Sequence, residues 1–278
     1  MKTLWVSWSG LKAHETCKQQ GMLRRSRKQA PLKDQRVFFP GTVVDRVVRD
    51  WLIEDPYNNP GLMPDMVESI VHRESVSINE AGGKMVWKDK DDRSNVIKDC
   101  IEAVTKIEPE LVRRVLPFDY DVDFRFRVPV QFPYPDGTNE TVILNGAMDI
   151  ITRDDTGQFS VWDVKMTRDN SYWRKTVAQL TFYDIVVSFM GDGRPSKEVG
   201  LLQPMCTQPV LPYPATDYER GQMFSRIARY ADQVWREDFE PRKDSFECNF
   251  CDVKHACSKF KPVNTAGGLR KVSFGSKG

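Results

Sequence analysis

The residues best suited to chemistry are carboxylates and a lysine in mid-chain, and a group of cysteines near its end. Val161-Trp162-Asp163-Val164-Lys165 reads as a strand. Residues two apart on a strand share a face, so Asp163 and Lys165 point the same way. Gly146-Ala147-Met148-Asp149 lies on an apolar stretch just upstream, and a hairpin turn at Asp154-Asp155-Thr156-Gly157 pairs the two strands. That pairing brings Asp149 near Asp163. Close carboxylates repel and raise each other's pKa. A divalent ion removes the conflict, and hard oxygen ligands suit Mg²⁺ or Mn²⁺. A lysine beside such an ion can stabilise developing phosphate charge or position a water. Asp-x-Lys alone is common in surface ion pairs; Asp149 on the adjacent strand singles this one out. Asp45 is the third candidate. It precedes Val48 by three residues and Leu52 by seven, beside the apolar stripe of a helix. An unpaired carboxylate there is costly, so it meets an arginine or holds a metal.

Cys248-Asn-Phe-Cys251 and Cys257 place three cysteines within ten residues. In a reducing compartment that spacing argues for a metal centre. Three ligands need a fourth. By spacing alone Cys17, Cys100, Cys206 and His255 all qualify, and His255 would complete a local zinc site.

These groups need elements to hold them. Ser9 is expected to cap a helix running towards Cys17 and Gly21. Gly41 opens a clearer one, with Val43/Val47/Trp51 and Val44/Val48/Leu52 at a spacing of four. Pro56 and Asn58-Asn59-Pro60 close it. Asn95 to Leu111 is a further helix. The period then changes to two: Val122, Phe124, Phe126, Val128, Val130 and Phe132 alternate without a miss. A turn at Pro135-Asp136-Gly137 leads to a strand over 141–151, and a third strand covers 158–166. A helix over 174–190, a strand over 199–205 and a helix over 216–239 complete the order. Helices, a strand meander, then helix, strand and helix describe an α/β domain with a central mixed sheet.

The chain has 278 residues, 40% hydrophobic and 29% charged, which excludes a wholly disordered or collagen-like chain. No apolar run is long enough for a membrane span or a signal peptide, so a cytoplasmic protein is expected. Residues 1–36 hold nine Lys/Arg and two Asp/Glu, and 261–278 hold four Lys/Arg and no acid. Basic ends, including Arg24, Arg25 and Arg27, flank an acidic middle. That distribution suits either solvated charge or a nucleic-acid footprint beside a carboxylate site.

Gly146-x-x-Asp149, Asp163-x-Lys165 and Gln179-x-x-x-Tyr183 resemble the motifs of the PD-(D/E)xK nuclease superfamily, and of its RecB-type branch above all. The resemblance implies a restriction-endonuclease-like core. It makes Asp149, Asp163 and Lys165 catalytic, and Asp45, Asp149, Asp163 and the Val164 carbonyl ligands of Mg²⁺ or Mn²⁺. Gln179 and Tyr183, four apart on one helical face, would contact DNA or support the metal site. Gly41-Thr-Val-Val-Asp45 fills the position of a Gly-x-x-x-His, with Asp replacing His; His72 is the alternative. Val6-Ser7-Trp8-Ser9-Gly10-Leu11 followed by Cys17 resembles the opening of the iron–sulfur members, the AddB-type and CRISPR-adaptation nucleases. That selects Cys17 with Cys248, Cys251 and Cys257 as ligands of a [4Fe–4S] cluster joining the two ends of the chain. The implied division is a segment 1–40 with the first cysteine, a nuclease core 41–240, a cysteine region 241–260 and a basic tail 261–278. The implied activity is exonucleolytic, on DNA with free ends and chiefly single-stranded. It would serve recombination, repair or CRISPR-like adaptation, with any helicase or integration partner a separate protein. A cluster- or zinc-stapled DNA-binding scaffold that does not cut is the competing class.

Overall fold

The computed structural model describes residues 3–26, 36, 38–54, 61–81, 83, 85–133, 139–191, 193–242, 248 and 251–258. The turn at Pro135–Gly137, the helix-closing segment at 56–60, Arg27 and the basic tail 261–278 lie outside them.

The order is β1 (Leu4–Val6), α1 (Trp8–Thr16), α2 (Lys18–Arg25), α3 (Phe39–Ile53), α4 (Met63–Glu80), α5 (Asp92–Arg114), β2 (Asp119–Pro133), β3 (Asn139–Arg153), β4 (Phe159–Val164), α6 (Trp173–Met190), β5 (Glu198–Leu202), β6 (Val210–Tyr213) and α7 (Asp217–Trp235). One mixed sheet holds all six strands. β3 is its hub. It pairs antiparallel with β2 along its whole length, parallel with β1 at 142–144 and antiparallel with β4 at 150–153. β5 then runs parallel to β4, and β6 antiparallel to β5.

Two apolar cores cover the two faces. One joins α1, α6 and α7 to Phe126, Val128, Val142, Leu144, Met148 and Val161. The other joins α3, α4 and α5 to Ile150, Trp162, Val164 and Leu202. The β2–β3 ribbon changes sides between them. Phe126 to Phe132 face the first core, whereas Tyr120 and Val122 pack against the second. Residues of equal parity share a face on a regular strand, so the backbone must rotate between Val122 and Phe124. It does so at Asp123, whose φ is 51°, and the ladder skips the Asp123–Asp149 pair there. Aspartate tolerates this left-handed conformation better than most residues.

The helix ends differ from the sequence expectation. Ser7, not Ser9, caps α1 by accepting from Gly10 N. The chain breaks at Cys17 into a second helix, and a Cβ at Gly21 would lie 2.7 Å from the His14 Cα, so glycine permits the tight α1–α2 corner. α3 starts at Phe39 with Pro40 in its first turn, two residues before Gly41. β4 ends at Val164, so Lys165 lies just beyond the strand, and β5 stops at Leu202.

Candidate active site

α3 buries Val43, Val44, Val47, Val48, Trp51 and Leu52, which leaves Asp45 half-buried at the edge of the packed stripe. From there it faces the ends of β3 and β4. A cavity of about 180 Å³ is lined by Asp45, Arg46, Val48, Arg49, Asp123, Arg125, Asp149, Ile150 and Val164. His72 is exposed on α4 and does not line it.

β3 and β4 pair only as far as Ile150 opposite Trp162. One step further the Asp149 side chain replaces the missing backbone partner, its Oδ2 accepting from Val164 N at 2.8 Å. Asp163 is 1% exposed, held between Trp162 and Val164 at the centre of the sheet. Lys165 Nζ reaches back to it, 2.6 Å from Asp163 Oδ2 and 4.0 Å from Asp149 Oδ2. The same ammonium donates to Val164 O at 3.3 Å. Gln179 Nε2 donates to Asp163 Oδ1 at 3.1 Å and to Tyr183 Oη at 3.0 Å, and Tyr183 donates to Ala147 O at 3.0 Å. The two α6 side chains therefore tie the buried carboxylate to the backbone two residues before Asp149. The glycine of the Gly146-x-x-Asp149 motif has a packing reason: a Cβ there would lie 2.9 Å from the Phe126 ring.

The electrostatics show a site with surplus negative charge. Burial, and then the charge of Asp149, raise Asp45 to about 6. Burial raises Asp163 as well, with Lys165 opposing the rise and Asp149 adding to it. Burial by itself would lower Lys165, but Asp163 and Asp149 outweigh it and hold the ammonium above the ordinary lysine value. Burial and the same two carboxylates push the Tyr183 phenol up. Among the described residues no three acidic, histidine or cysteine side chains converge closely enough to hold an ion as they stand, and Lys165 occupies the space between two of the carboxylates. The donor set nonetheless fits a divalent cation. The charge of Asp149 raises both Asp45 and Asp163, so these hard carboxylates lack positive charge, and one lysine supplies only part of it.

A stability test follows from Asp45. A folded-state pKa above the unfolded value gives a contribution fully present below about pH 4 and lost as pH rises through about 6. The ionised carboxylate is then a cost at neutral pH. Asp45→Asn is expected to stabilise the metal-free protein at pH 7.5 by about 1–3 kcal/mol, after allowance for partial exposure. Saturating Mn²⁺ should reverse the ranking by stabilising the wild type more. Thermal unfolding in EDTA and in Mn²⁺ checks both; a variant no more stable than wild type in EDTA would refute the argument.

Sequence reasoning missed Asp123, Arg46, Arg49 and Arg125. Arg168, between β4 and α6, and Lys175, in the first turn of α6, are engaged by Asp99 and Asp169.

Away from this site, α2 and the segment that carries Cys251 and Cys257 are in contact, without closing into a metal-binding group among the described residues. Cys17 lies at the α1–α2 corner, and its Sγ accepts from Arg242 N at 3.4 Å. Cys251 is raised by burial and by the nearby Asp252, Cys17 and Cys248. Cys257 donates to Gln19 Oε1 at 2.8 Å. Gln19–Ser258, Gln20–Asp252 and Arg24–Asp252 contacts bind α2 to the same segment. Cys100 and Cys206 are buried elsewhere, beside Pro40 O and Thr167 O, and leave the competition for a fourth ligand. His255 is exposed on a short 3₁₀ turn.

Comparison with known proteins agrees with this geometry. The Gene 69 protein of Mycobacterium phage L5 is 30% identical over 79 residues, 28% of this chain and 26% of that protein. The match thus spans about a quarter of that curated relative. A solved structure from Eubacterium rectale, provisionally named an exonuclease, has a TM-score of 0.51 at 14% identity, covering 95% of this chain and 93% of that one. At that identity it speaks for the fold. The sequence profile of the PD-(D/E)XK nuclease superfamily matches residues 6–258, almost the whole chain, and the chain belongs to that superfamily.

Proposed function

We propose that this nuclease is a Mg²⁺- or Mn²⁺-dependent DNA exonuclease of the RecB-type branch, acting on free ends and chiefly on single strands. The observation that carries the reading is the convergence of Asp149, Asp163 and Lys165 at the ends of β3 and β4, with Asp45 sharing one cavity with Asp149 and Val164. Asp45, Asp149, Asp163 and the Val164 carbonyl would hold the ion. When bound, a divalent ion neutralises charge on the phosphodiester and acidifies water. The chain's own residues supply the rest. Asp163 is fixed by Gln179, which Tyr183 anchors to the sheet. Lys165 stays charged through its two carboxylate neighbours, so it can meet negative charge on the reacting phosphate. Once the carboxylates have another counter-charge, its flexible stem lets the ammonium move to substrate.

The second part of the reading is a [4Fe–4S] cluster on Cys17, Cys248, Cys251 and Cys257. It would clasp segment 1–40 to segment 241–260 and leave redox chemistry out of the reaction. The contact of α2, which starts just after Cys17, with the segment that carries Cys251 and Cys257 supports it. Recombination, repair or CRISPR-like adaptation is the proposed setting.

The test is anaerobic digestion of end-labelled single- and double-stranded DNA by cluster-loaded protein in Mg²⁺, Mn²⁺ and EDTA. Expected are metal-dependent shortening from ends and faster loss of the single strand. Protein that binds DNA but leaves it intact in both metals would transfer the chain to the class of non-cutting scaffolds.

A further inference from the structure

Where β2 and β3 extend beyond the catalytic carboxylates, no element among the described residues packs over the exposed β2 residues on one face of the ribbon. Its opposite face packs on the α6–α7 core through Phe126, Val128, Val130 and Phe132. The uncovered face begins in the active-site cavity, where Asp123, Arg125 and Asp149 are neighbours. The next residues on it are Arg127, opposite Asn145, and then Pro129, opposite Ile143. β1 adds Trp5 beside Ile143 on the same side, since Leu4 and Val6 point into the core. Arg125, Arg127, Pro129 and Trp5 are exposed.

Three features of this face go beyond a solvated strand. Trp5 is 46% exposed, and the Arg127 guanidinium lies 5.5 Å from its ring centroid, so a flat aromatic surface is held beside a cation. The Arg125 side chain is 82% exposed, its ion pair with Asp123 a loose 3.6 Å. Asn145 Oδ1 is buried without a hydrogen-bond partner. Arg46 and Arg49 line the cavity at the start of the row. Cations in line with an aromatic platform, continuous with a phosphodiester site, match what binds single strands: charge follows the backbone and a ring stacks a base.

We propose that this face is the track for the single strand of DNA leading to the active site, with phosphates at Arg125 and Arg127 and a base stacked on Trp5. The proposal rests on the nuclease reading and extends it. Trp5 sits beside Ile143, six residues from Asp149 on β3, or about 20 Å at strand spacing. At about 3.4 Å per stacked nucleotide, that length holds at most about six nucleotides. A stacked trinucleotide seated at the catalytic groups is about 10 Å long and does not reach Trp5.

The experiment is equilibrium binding of fluorescent single-stranded DNA to full-length, cluster-loaded protein in EDTA, where nothing is cut. On an oligonucleotide of about twelve residues, Trp5→Ala should weaken binding roughly ten- to a hundredfold, and Trp5→Phe should retain most of the affinity. Arg127→Gln should reduce the salt slope by about one. On a trinucleotide Trp5→Ala should bind as wild type does, an outcome that general damage to the fold would not give. Arg236→Ala, exposed at the C-terminal cap of α7, is the control. Affinity and salt slope unchanged in both variants on the long oligonucleotide would overturn the track while leaving the nuclease reading untouched. Wild type that binds no DNA at all would remove that reading and the track with it.

Discussion

Lys165→Ala is expected to lower DNA cleavage at saturating Mn²⁺ by about 10²–10³-fold, the usual cost of losing one group that stabilises developing charge. The geometry makes this lysine central in two ways. Its ammonium lies 2.6 Å from Asp163 Oδ2, and Asp163 is almost fully buried. It therefore neutralises a carboxylate that burial already pushes towards its protonated form. It also donates to the Val164 carbonyl, so it holds two of the groups assigned to the ion. If Lys165 served only to keep Asp163 ionised, the variant would recover at high pH or in excess Mn²⁺, because either restores the carboxylate. If it acts on the phosphate, neither restores the rate. The expected result is the second. Rates measured from pH 6 to 9 across a Mn²⁺ series decide it, and recovery to within about threefold of wild type would reassign Lys165 from catalysis to charge balance.

Asp149, Asp163 and Lys165 were legible because two features coincided: apolar alternation fixed the strands, and Asp154–Gly157 fixed their register. The turn forms as read, with Gly157 N bonded to Asp154 O and the Asp154 carboxylate accepting from Thr156 N and Gln158 N. What the alternation concealed was the side switch at Asp123. Val122 and Phe124 both look inward-facing, and both pack inward, but against different cores. A period of two reports only that each even residue is buried, and a sheet with a core on each face buries both sides. No helix is read from the sequence at α4 although Met63, Val67, Ile70 and Val71 follow helical spacing; Asn58-Asn59-Pro60 just before it read as closing the preceding segment. Pro64 stands where helices accept proline, in the first turn. β1 and β6 span three and four residues, too short for any period, and β6 contains Pro212. The arginines around the cavity lay on α3 and β2, where a charged residue has no local signal of what it faces.

Those same elements explain why Asp45 can stand where a histidine was expected. A histidine would contribute a neutral donor from α3. Asp45 contributes a charge, which burial first and then the neighbouring Asp149 disfavour. A carboxylate prefers hard ions more strongly than an imidazole does. The substitution should thus favour Mg²⁺ and Mn²⁺ over softer metals.

Cys17→Ser is expected to yield colourless protein with little bound iron and a C-terminal segment open to proteases. The polar contacts between α2 and residues 251–258 are partly exposed, and each is worth about 1 kcal/mol or less. They cannot offset the entropy of closing a loop of more than two hundred residues, which is about 5 kcal/mol for a cross-link of that span. A metal centre bonded to both ends would add its binding energy to folding. Neither large apolar core includes Cys17, Cys248, Cys251 or Cys257, although Tyr230 of the first lines a cavity with Cys17 and Val253 is itself buried. The variant should therefore keep its helical signal while residues beyond Trp235 become sensitive to limited proteolysis. Iron and acid-labile sulfide per chain, the visible spectrum and a tryptic time course are the measurements. Zinc in place of iron in anaerobically purified wild type would replace the cluster with a zinc clasp. Identical proteolysis of wild type and Cys17→Ser, with no metal in either, would show that the ends are held by protein contacts alone.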